Sequence, residues 1–391
     1  MTAISTLLLC ALGAYFIGAI PFGYLVGRMR GVNIFEHGSG NLGATNVGRI
    51  LGKRFGILVF VLDFLKGALP VFAVLQIVRV DDYPVELFAI VAGLAAFLGH
   101  LFPIYLGFRG GKGVSTGAGV VAVLLPGPAL GAVVTFAVVL FLTRFMSVAS
   151  TIAALMLFLI QATVTGRPFA GAHGALTCFC GIAAILVVVR HSSNIRRLFA
   201  GTEGRLLKES ARMEKLARIV HVLALGFWFG SAAFFSFVAT PLIFTTFDGL
   251  VDNRSGARPD WLLPTLTKVQ ASQLAGMAVS PIFPWYFLLQ GACGLLALAM
   301  TFRVAGKPLD RFERWRVAVL ILGIATILVG LPLVQKIDAL RAARATGDEA
   351  ARAAFAAWHL VSLLLNFITV GLAGVAMGMA AFLPNAISPE V

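Results

Sequence analysis

The stretch VSTGAGVVAVLLPGPALGAVVTFAVVLFL, residues 114–142, decides how this chain is read. It carries no charge over 29 residues, yet Pro126-Gly127-Pro128 interrupts it at the middle. A membrane helix needs about 20 mostly apolar residues, and proline ends or kinks a helix. The stretch is therefore one long kinked crossing or two short passes. Loop charge chooses between them. Arg28, Arg30, Arg49, Lys53 and Arg54 follow the apolar run 3–27, and Arg109 and Lys112 follow the run 85–106. Arg190, Arg196, Arg197, Arg205, Lys208, Arg212, Lys215 and Arg218 follow the run 171–190, while the acidic turn Asp81-Asp82-Tyr83-Pro84 lies between 54–78 and 85–106. Basic loops stay on the cytoplasmic side. A single crossing at 114–142 would strand the eight-charge cluster outside; two passes place every basic cluster inside. With 146–165 as a further span, this gives seven membrane helices to about residue 195 and an N-terminus outside.

The composition of the 391 residues agrees: 59% are hydrophobic, 12% are charged, and mean hydropathy is +0.93. A soluble domain carries roughly a quarter charged residues, so a soluble enzyme, a disulfide scaffold and a disordered chain are excluded. The net charge of +14 is uneven. Residues 1–215 hold 18 Lys/Arg against 8 Asp/Glu, and residues 216–391 hold 13 against 9. In a membrane protein such an excess marks cytoplasmic loops and contact with anionic lipid; nucleic-acid binding is the weaker reading, with no soluble module to enter a groove. Cys10, Cys178, Cys180 and Cys293 lie in hydrophobic runs and read as packed thiols. Four further spans, 217–240, 281–302, 316–335 and 357–384, place Arg303, Lys307, Arg311, Arg314 and Arg316 inside. The expected architecture is an all-α polytopic bundle of seven plus four membrane helices. Its domains are 1–198, a charged helical cytoplasmic linker 199–216, and 217–391, without a visible internal repeat.

Three segments at helix ends on the cytoplasmic side are polar in a way that lipid does not explain: 36–49, EHGSGNLGATNVGR; 99–116, GHLFPIYLGFRGGKGVST; and 190–205, RHSSNIRRLFAGTEGR. The first contains a formal GxGxxG at Gly38–Gly43, but no βαβ unit fits between two membrane spans, so the dinucleotide reading is rejected. Its physical content remains. Glycines let backbone N–H groups approach an anion, and a helix N-terminus offers unpaired donors. Ser39, Gly40, Asn41, Thr45 and Asn46 form such a turn, and Arg49 can grip a phosphate with two parallel bonds. In the second, Gly110, Gly111, Lys112 and Gly113 precede Ser115-Thr116 at the start of an apolar run, with His100 upstream. In the third, His191 and Asn194 lie one helical turn apart, and Glu203 sits in a Gly-rich turn. Asp63 and Lys66, three apart within 54–78, read as a structural intramembrane pair. Arg196 and Arg197 read as solvated, lipid-anchoring charges, and Arg144, Ser147 and Ser150 mark the cytoplasmic end of the sixth span. Together the segments hold surplus cations and N–H donors and few acids, the chemistry of a phosphate site.

The series GSGNLGATNVGR, GHLFPIYLGFRGGKGVST and RHSSNIRRLFAGTEGR, with VLDFLKG (61–67) between the first two, resembles the signature motifs of the bacterial acyl-phosphate:glycerol-3-phosphate acyltransferases, the PlsY family. The resemblance covers residues 1 to about 210. It implies a seven-helix membrane fold in the bacterial inner membrane and a site on the cytoplasmic side. It further implies transfer of a fatty acyl group from acyl phosphate to the 1-hydroxyl of glycerol 3-phosphate, giving lysophosphatidate and phosphate in phospholipid synthesis. Carried onto matching positions, it places Ser39, Asn41, Thr45, Asn46 and Arg49 around acyl phosphate and the glycerol backbone. Gly110, Gly111, Lys112 and Gly113 become the glycerol-phosphate cradle; His191, Asn194 and Glu203 complete the site, with Ser147 as a further polar site residue.

Acyl phosphate is a mixed anhydride with a good leaving group, so the reaction needs neither metal nor cofactor. The attacking hydroxyl needs a proton acceptor: His191, then Ser39, or the donor's own phosphate oxygens. Lys112, Arg49 and the loop amides would stabilise developing charge. A covalent acyl-Ser39 is the alternative route, ranked lower for want of a His/Asp pair beside it. The rival function is a membrane transporter of an organic phosphate, which would place its binding groups near mid-membrane. The second half resembles small four-helix membrane proteins of unknown function. In it, His221 and His359 read as interfacial helix-end histidines.

Overall fold

The computed structural model describes residues 2–206, 211–252, 267–305, 308–345 and 348–382, and every regular element among them is helical. Lys208, Lys307 and the end of the run 357–384 lie outside the described residues. The chain forms two compact units, one of Met1–Gln161, Arg167–Leu198 and Glu203–Leu206, the other of Ala162–Gly166, Phe199–Thr202 and Leu207–Val391.

The first unit contains α1 (Ala3–Ala19), α2 (Phe22–Met29), α3 (Ala44–Leu51), α4 (Lys53–Ile77), α5 (Val85–Leu101), α6 (Val114–Leu124), α7 (Pro126–Thr143), α8 (Met146–Val164), α9 (Gly171–Arg190) and α10 (Ser192–Phe199). The deciding stretch forms two helices broken at Leu125-Pro126. Leu125 leaves the helical region (φ −142°, ψ 61°), and Pro126 opens α7 as its first residue, where a missing N–H costs nothing. The 11-residue α6 rises only about 16 Å at 1.5 Å per residue, too little to cross a core of about 30 Å. It survives by packing closely on α4: a Cβ on Gly67 would lie 2.2 Å from the Thr116 carbonyl oxygen, and one on Gly119 2.0 Å from that of Phe64. Small residues of this kind drive helix association in lipid. Outward faces are apolar, as on α1, where Leu8, Leu9 and Leu12 are exposed.

The run 3–27 falls within one candidate span, Ala3–Met29, divided into α1 and α2 where Pro21 cannot continue the backbone ladder, and the Ile20 carbonyl left at the break accepts a hydrogen bond from Lys66 Nζ at 2.7 Å. Two expectations need correction. Cys178 is exposed on α9, not packed. The start of the 199–216 segment is not helical: residues 200–206 form an irregular turn with Gly201 at φ 68°, tied back by Leu206 N–H donating to the Arg144 carbonyl at 2.9 Å.

The second unit contains α11 (Ala211–Phe234), a π-helical turn (Phe235–Ala239), α12 (Thr240–Asp252), α13 (Lys268–Val279), α14 (Phe283–Ala305), α15 (Arg311–Ala345) and α16 (Glu349–Ala381). The four apolar runs are present but within longer helices; α15 has 35 residues, about 52 Å, so its ends pass beyond a bilayer core. Among the described residues ten helical segments are long and apolar enough to cross a membrane, with the shorter α6 as a further apolar helix. His221 is wholly buried, its Nδ1 3.0 Å from the Ala297 carbonyl, and is not an interfacial residue.

Candidate active site

Each polar segment is shaped by its own sequence before the segments meet. In the first, Asn46 is buried at the start of α3 and organises the turn before it. Its Oδ1 accepts from Ser39 N–H at 2.9 Å, and its Nδ2 donates to the carbonyls of Asn41 (2.9 Å) and His37 (3.2 Å). Asn41 Oδ1 caps Gly43 N–H at 2.8 Å. A Cβ on Gly38 would strike Asn46 Oδ1 at 2.3 Å, which is why this turn tolerates no side chain there. Ser39 is thereby held by its backbone, with its side chain exposed.

The second segment rests on His100. The His100 carbonyl accepts from Gly111 N–H at 3.1 Å, and a Cβ on Gly111 would lie 2.1 Å from His100 Nε2. Arg190 takes the opposite side: its Nη2 donates to the carbonyls of Gly110 (2.7 Å) and Gly111 (2.8 Å) and its Nε to Gly111 again at 3.0 Å. With both carbonyls turned toward Arg190, Gly113 adopts φ 85° and launches α6. Lys112 therefore stands at the positive end of a helix.

The third segment supplies the counterpart. Lys112 Nζ donates to Asn194 Oδ1. Glu203 gathers the rest: its Oε1 accepts from Asn194 Nδ2 at 2.6 Å and Ser147 Oγ at 3.0 Å, and its Oε2 from Arg197 Nε at 2.8 Å. Arg205 over the Phe145 ring, 5.3 Å from its centroid, fixes the turn carrying Glu203 against the start of α8. From the first segment Arg49 reaches the Gly204 carbonyl at 3.5 Å. Glu203, Arg197, Arg49 and Arg190 all act electrostatically on Lys112. The three tips thus converge on one cup around Lys112, where among the described residues three further cations, Arg49, Arg190 and Arg197, and one carboxylate, Glu203, act on its ammonium.

Burial lowers the Lys112 ammonium to about 8; Glu203 opposes that fall, and Arg197, Arg49 and Arg190 add to it. Burial likewise pushes His191 down to about 4, helped by Lys112. His191 Nδ1 lies 2.8 Å from the Val187 carbonyl, so it carries the ring proton, leaving Nε2 with a lone pair. Of the expected site residues, Arg49, Lys112, Ser147, His191, Asn194 and Glu203 come together, and Gly110, Gly111 and Gly113 shape the loop bearing Lys112. Ser39, Gly40, Asn41, Thr45 and Asn46 form the adjoining turn; among the described residues no hydrogen bond links Ser39 to His191.

Two features escaped the sequence reading. Arg197 is ion-paired with Glu203 at 2.8 Å while its own side chain stays partly exposed. The Asp63–Lys66 pair, at 2.9 Å, is joined by His100 Nδ1 at 3.7 Å, all three groups buried. This cluster lines a small cavity with Phe22, Leu42 and Gly111, directly beneath the first two loops. The signal was present as three ionisable residues in two apolar runs, since such groups inside a membrane need one another.

Residues 8–201 match the family model described as glycerol-3-phosphate acyltransferase, and residues 223–346 match a domain of unknown function, DUF4149. The glycerol-3-phosphate acyltransferase of Anaeromyxobacter sp. (strain Fw109-5) is 45% identical over 202 residues, covering 51% of this chain and 96% of the relative. That of Geobacter sulfurreducens is 43% identical over 192 residues, covering 49% and 93%. A crystal structure of PlsY, an integral membrane glycerol 3-phosphate acyltransferase, in its glycerol 3-phosphate form is 37% identical, covering 51% of this chain and 96% of that one, with a TM-score of 0.46. Two long stretches of near-complete relatives thus align with the unit that carries the cup, and the chain belongs, through that unit, to the glycerol-3-phosphate acyltransferase family.

Proposed function

We propose that the first unit moves a fatty acyl group from acyl phosphate to the 1-hydroxyl of glycerol 3-phosphate, at the cytoplasmic side of the inner membrane. The observation that carries this reading is the cup itself, in which Lys112, Arg49, Arg190 and Arg197 gather with, among the described residues, the one carboxylate of Glu203. Surplus positive charge at a helix N-terminus suits two phosphate-bearing substrates.

Lys112, with the loop of Gly110, Gly111 and Gly113, holds the phosphate of glycerol 3-phosphate. Glu203, itself held by Ser147, fixes that ammonium through Asn194. The turn of Ser39, Gly40, Asn41, Thr45 and Asn46 receives the acyl phosphate and the glycerol backbone, and Arg49, which reaches Gly204 and acts electrostatically on Lys112, serves the phosphates of both substrates. The glycerol oxygen then attacks the acyl carbonyl carbon, the bond from that carbon to the phosphate oxygen breaks, and phosphate leaves with the electron pair. The hydroxyl proton needs an acceptor. A base works best with a pKa near the operating pH, and a His191 held at about 4 is weakly basic. A phosphate oxygen of the donor is the better acceptor, and His191 Nε2 orients the hydroxyl. Arg49 and Lys112 stabilise charge on the departing phosphate. Because the acyl chains are lipid-borne and glycerol 3-phosphate is aqueous, a cup at the helix ends lets both substrates meet.

The test is direct. Detergent-purified protein given palmitoyl phosphate should release inorganic phosphate only when glycerol 3-phosphate is added; release independent of the acceptor, or none from folded protein, refutes the reading.

A further inference from the structure

The second unit holds a cavity of about 120 Å³ bounded by the π-helical turn, α14, α15 and α16. Its walls are aromatic: Phe235 stacks on Tyr286 with centroids 4.6 Å apart, and Phe283 stands edge-on to Phe235 at 5.6 Å. The π-helical turn is what places Phe235 and Ser236 together on the cavity, and such turns are frequent at functional sites. A void of this size forfeits packing contacts unless something fills it. An apolar cavity of about 150 Å³ accepts benzene, so the space suits a single ring.

Several polar groups around it pair with one another. Tyr286 donates to Asn366 Oδ1 at 2.7 Å, Asn366 Nδ2 donates to Ser236 Oγ at 2.6 Å, and Ser236 donates to the Ala232 carbonyl at 2.7 Å, closing that chain. Gln290, wholly buried on the same cavity, donates through Nε2 to Ser231 Oγ at 2.7 Å and to the Trp228 carbonyl at 3.4 Å. Those acceptors fix its amide orientation, and among the described residues Oε1 is buried without a donor. An uncharged acceptor in this setting calls for a hydroxyl.

We propose that this cavity is a binding site for a lipid-soluble molecule that inserts one hydroxylated ring, of the phenol or quinol class, with its hydroxyl donating to Gln290 Oε1. The aromatic walls select the ring, and the unpartnered acceptor selects the hydroxyl. The site stands on the second unit alone and does not depend on the acyltransferase reading.

The experiment uses the full chain in detergent and follows ¹⁹F line broadening of 4-fluorophenol and fluorobenzene. Because the phenol alone satisfies the buried acceptor, it should bind saturably and about tenfold more tightly than the arene, about 1.4 kcal/mol. Gln290→Met should shrink that gap to within about twofold, and Ser362→Phe, which fills the cavity from α16, should abolish saturable binding of both. Equal affinities for the two probes in the wild-type chain, no saturable binding by folded protein, or a gap that survives Gln290→Met would each overturn the proposal.

Discussion

Lys112 sits near the midpoint of its own titration at mildly alkaline pH, so the charge of Glu203 should be readable in the pH profile of the reaction. Glu203 and Lys112 are separated by one side-chain amide: Asn194 accepts from Lys112 and donates to Glu203. Charges on the order of 6 Å apart interact by about 3 kcal/mol at an effective dielectric of about 20. That corresponds to about two pKa units, and partial exposure of Lys112 cuts it to about one. Because the ammonium binds phosphate and the free amine does not, kcat/KM for glycerol 3-phosphate should fall as pH rises through about 8. In Glu203→Gln the carboxylate that supports the ammonium is gone, so the fall should begin near 7. Arg197→Gln removes a cation that opposes the ammonium, so the limb should move the other way, by a few tenths of a unit given the exposure of Arg197. The assay is phosphate release at limiting glycerol 3-phosphate from pH 6 to 9.5. Limbs that stay fixed in both variants, or move in the same direction, refute the electrostatic role of Glu203.

Other outcomes follow from single contacts. Gly111→Ala would drive a methyl group into the His100 ring, displacing Lys112; kcat/KM for glycerol 3-phosphate should fall by about 10², as initial rates would report. Asp63→Asn leaves Lys66 buried without its carboxylate, so the thermal midpoint in detergent should drop by an amount matching about 3–5 kcal/mol, and Asp63→Asn with Lys66→Met should recover most of it. His191→Gln should leave the profile shape between pH 5.5 and 7 unchanged, because the imidazole is already neutral there; loss of an acidic limb would contradict this. Near-complete relatives match only the first half of the chain, so truncation after residue 206 should keep kcat within about threefold, measured on detergent-purified protein.

Much of the first unit was legible in the sequence. Proline chemistry at Pro126 and the sign of the loop charges dictate two passes for 114–142, and the same charges put all three polar segments on one side. The break at Pro21 was hidden because the apolar run continues through it, and hydropathy does not register a carbonyl that Lys66 satisfies from another helix. The Arg197–Glu203 pair was hidden for a similar reason: the two are only six residues apart, but the turn that brings them together depends on Gly201 and on the Arg144 carbonyl. Gln290 and Asn366 in the second unit are single polar residues in long apolar helices, and only the packing of α14 and α16 around the π-helical turn brings them to one cavity.

The convergence of three tips on one anion is tested most directly by calorimetric titration of glycerol 3-phosphate into the folded protein and into one variant from each tip: Arg49→Gln, Lys112→Gln and Asn194→Ala. A single cup predicts that each variant raises Kd by tenfold or more and that paired losses fall short of their sum. Unchanged affinity in any one of the three, or strict additivity across the pairs, would contradict it.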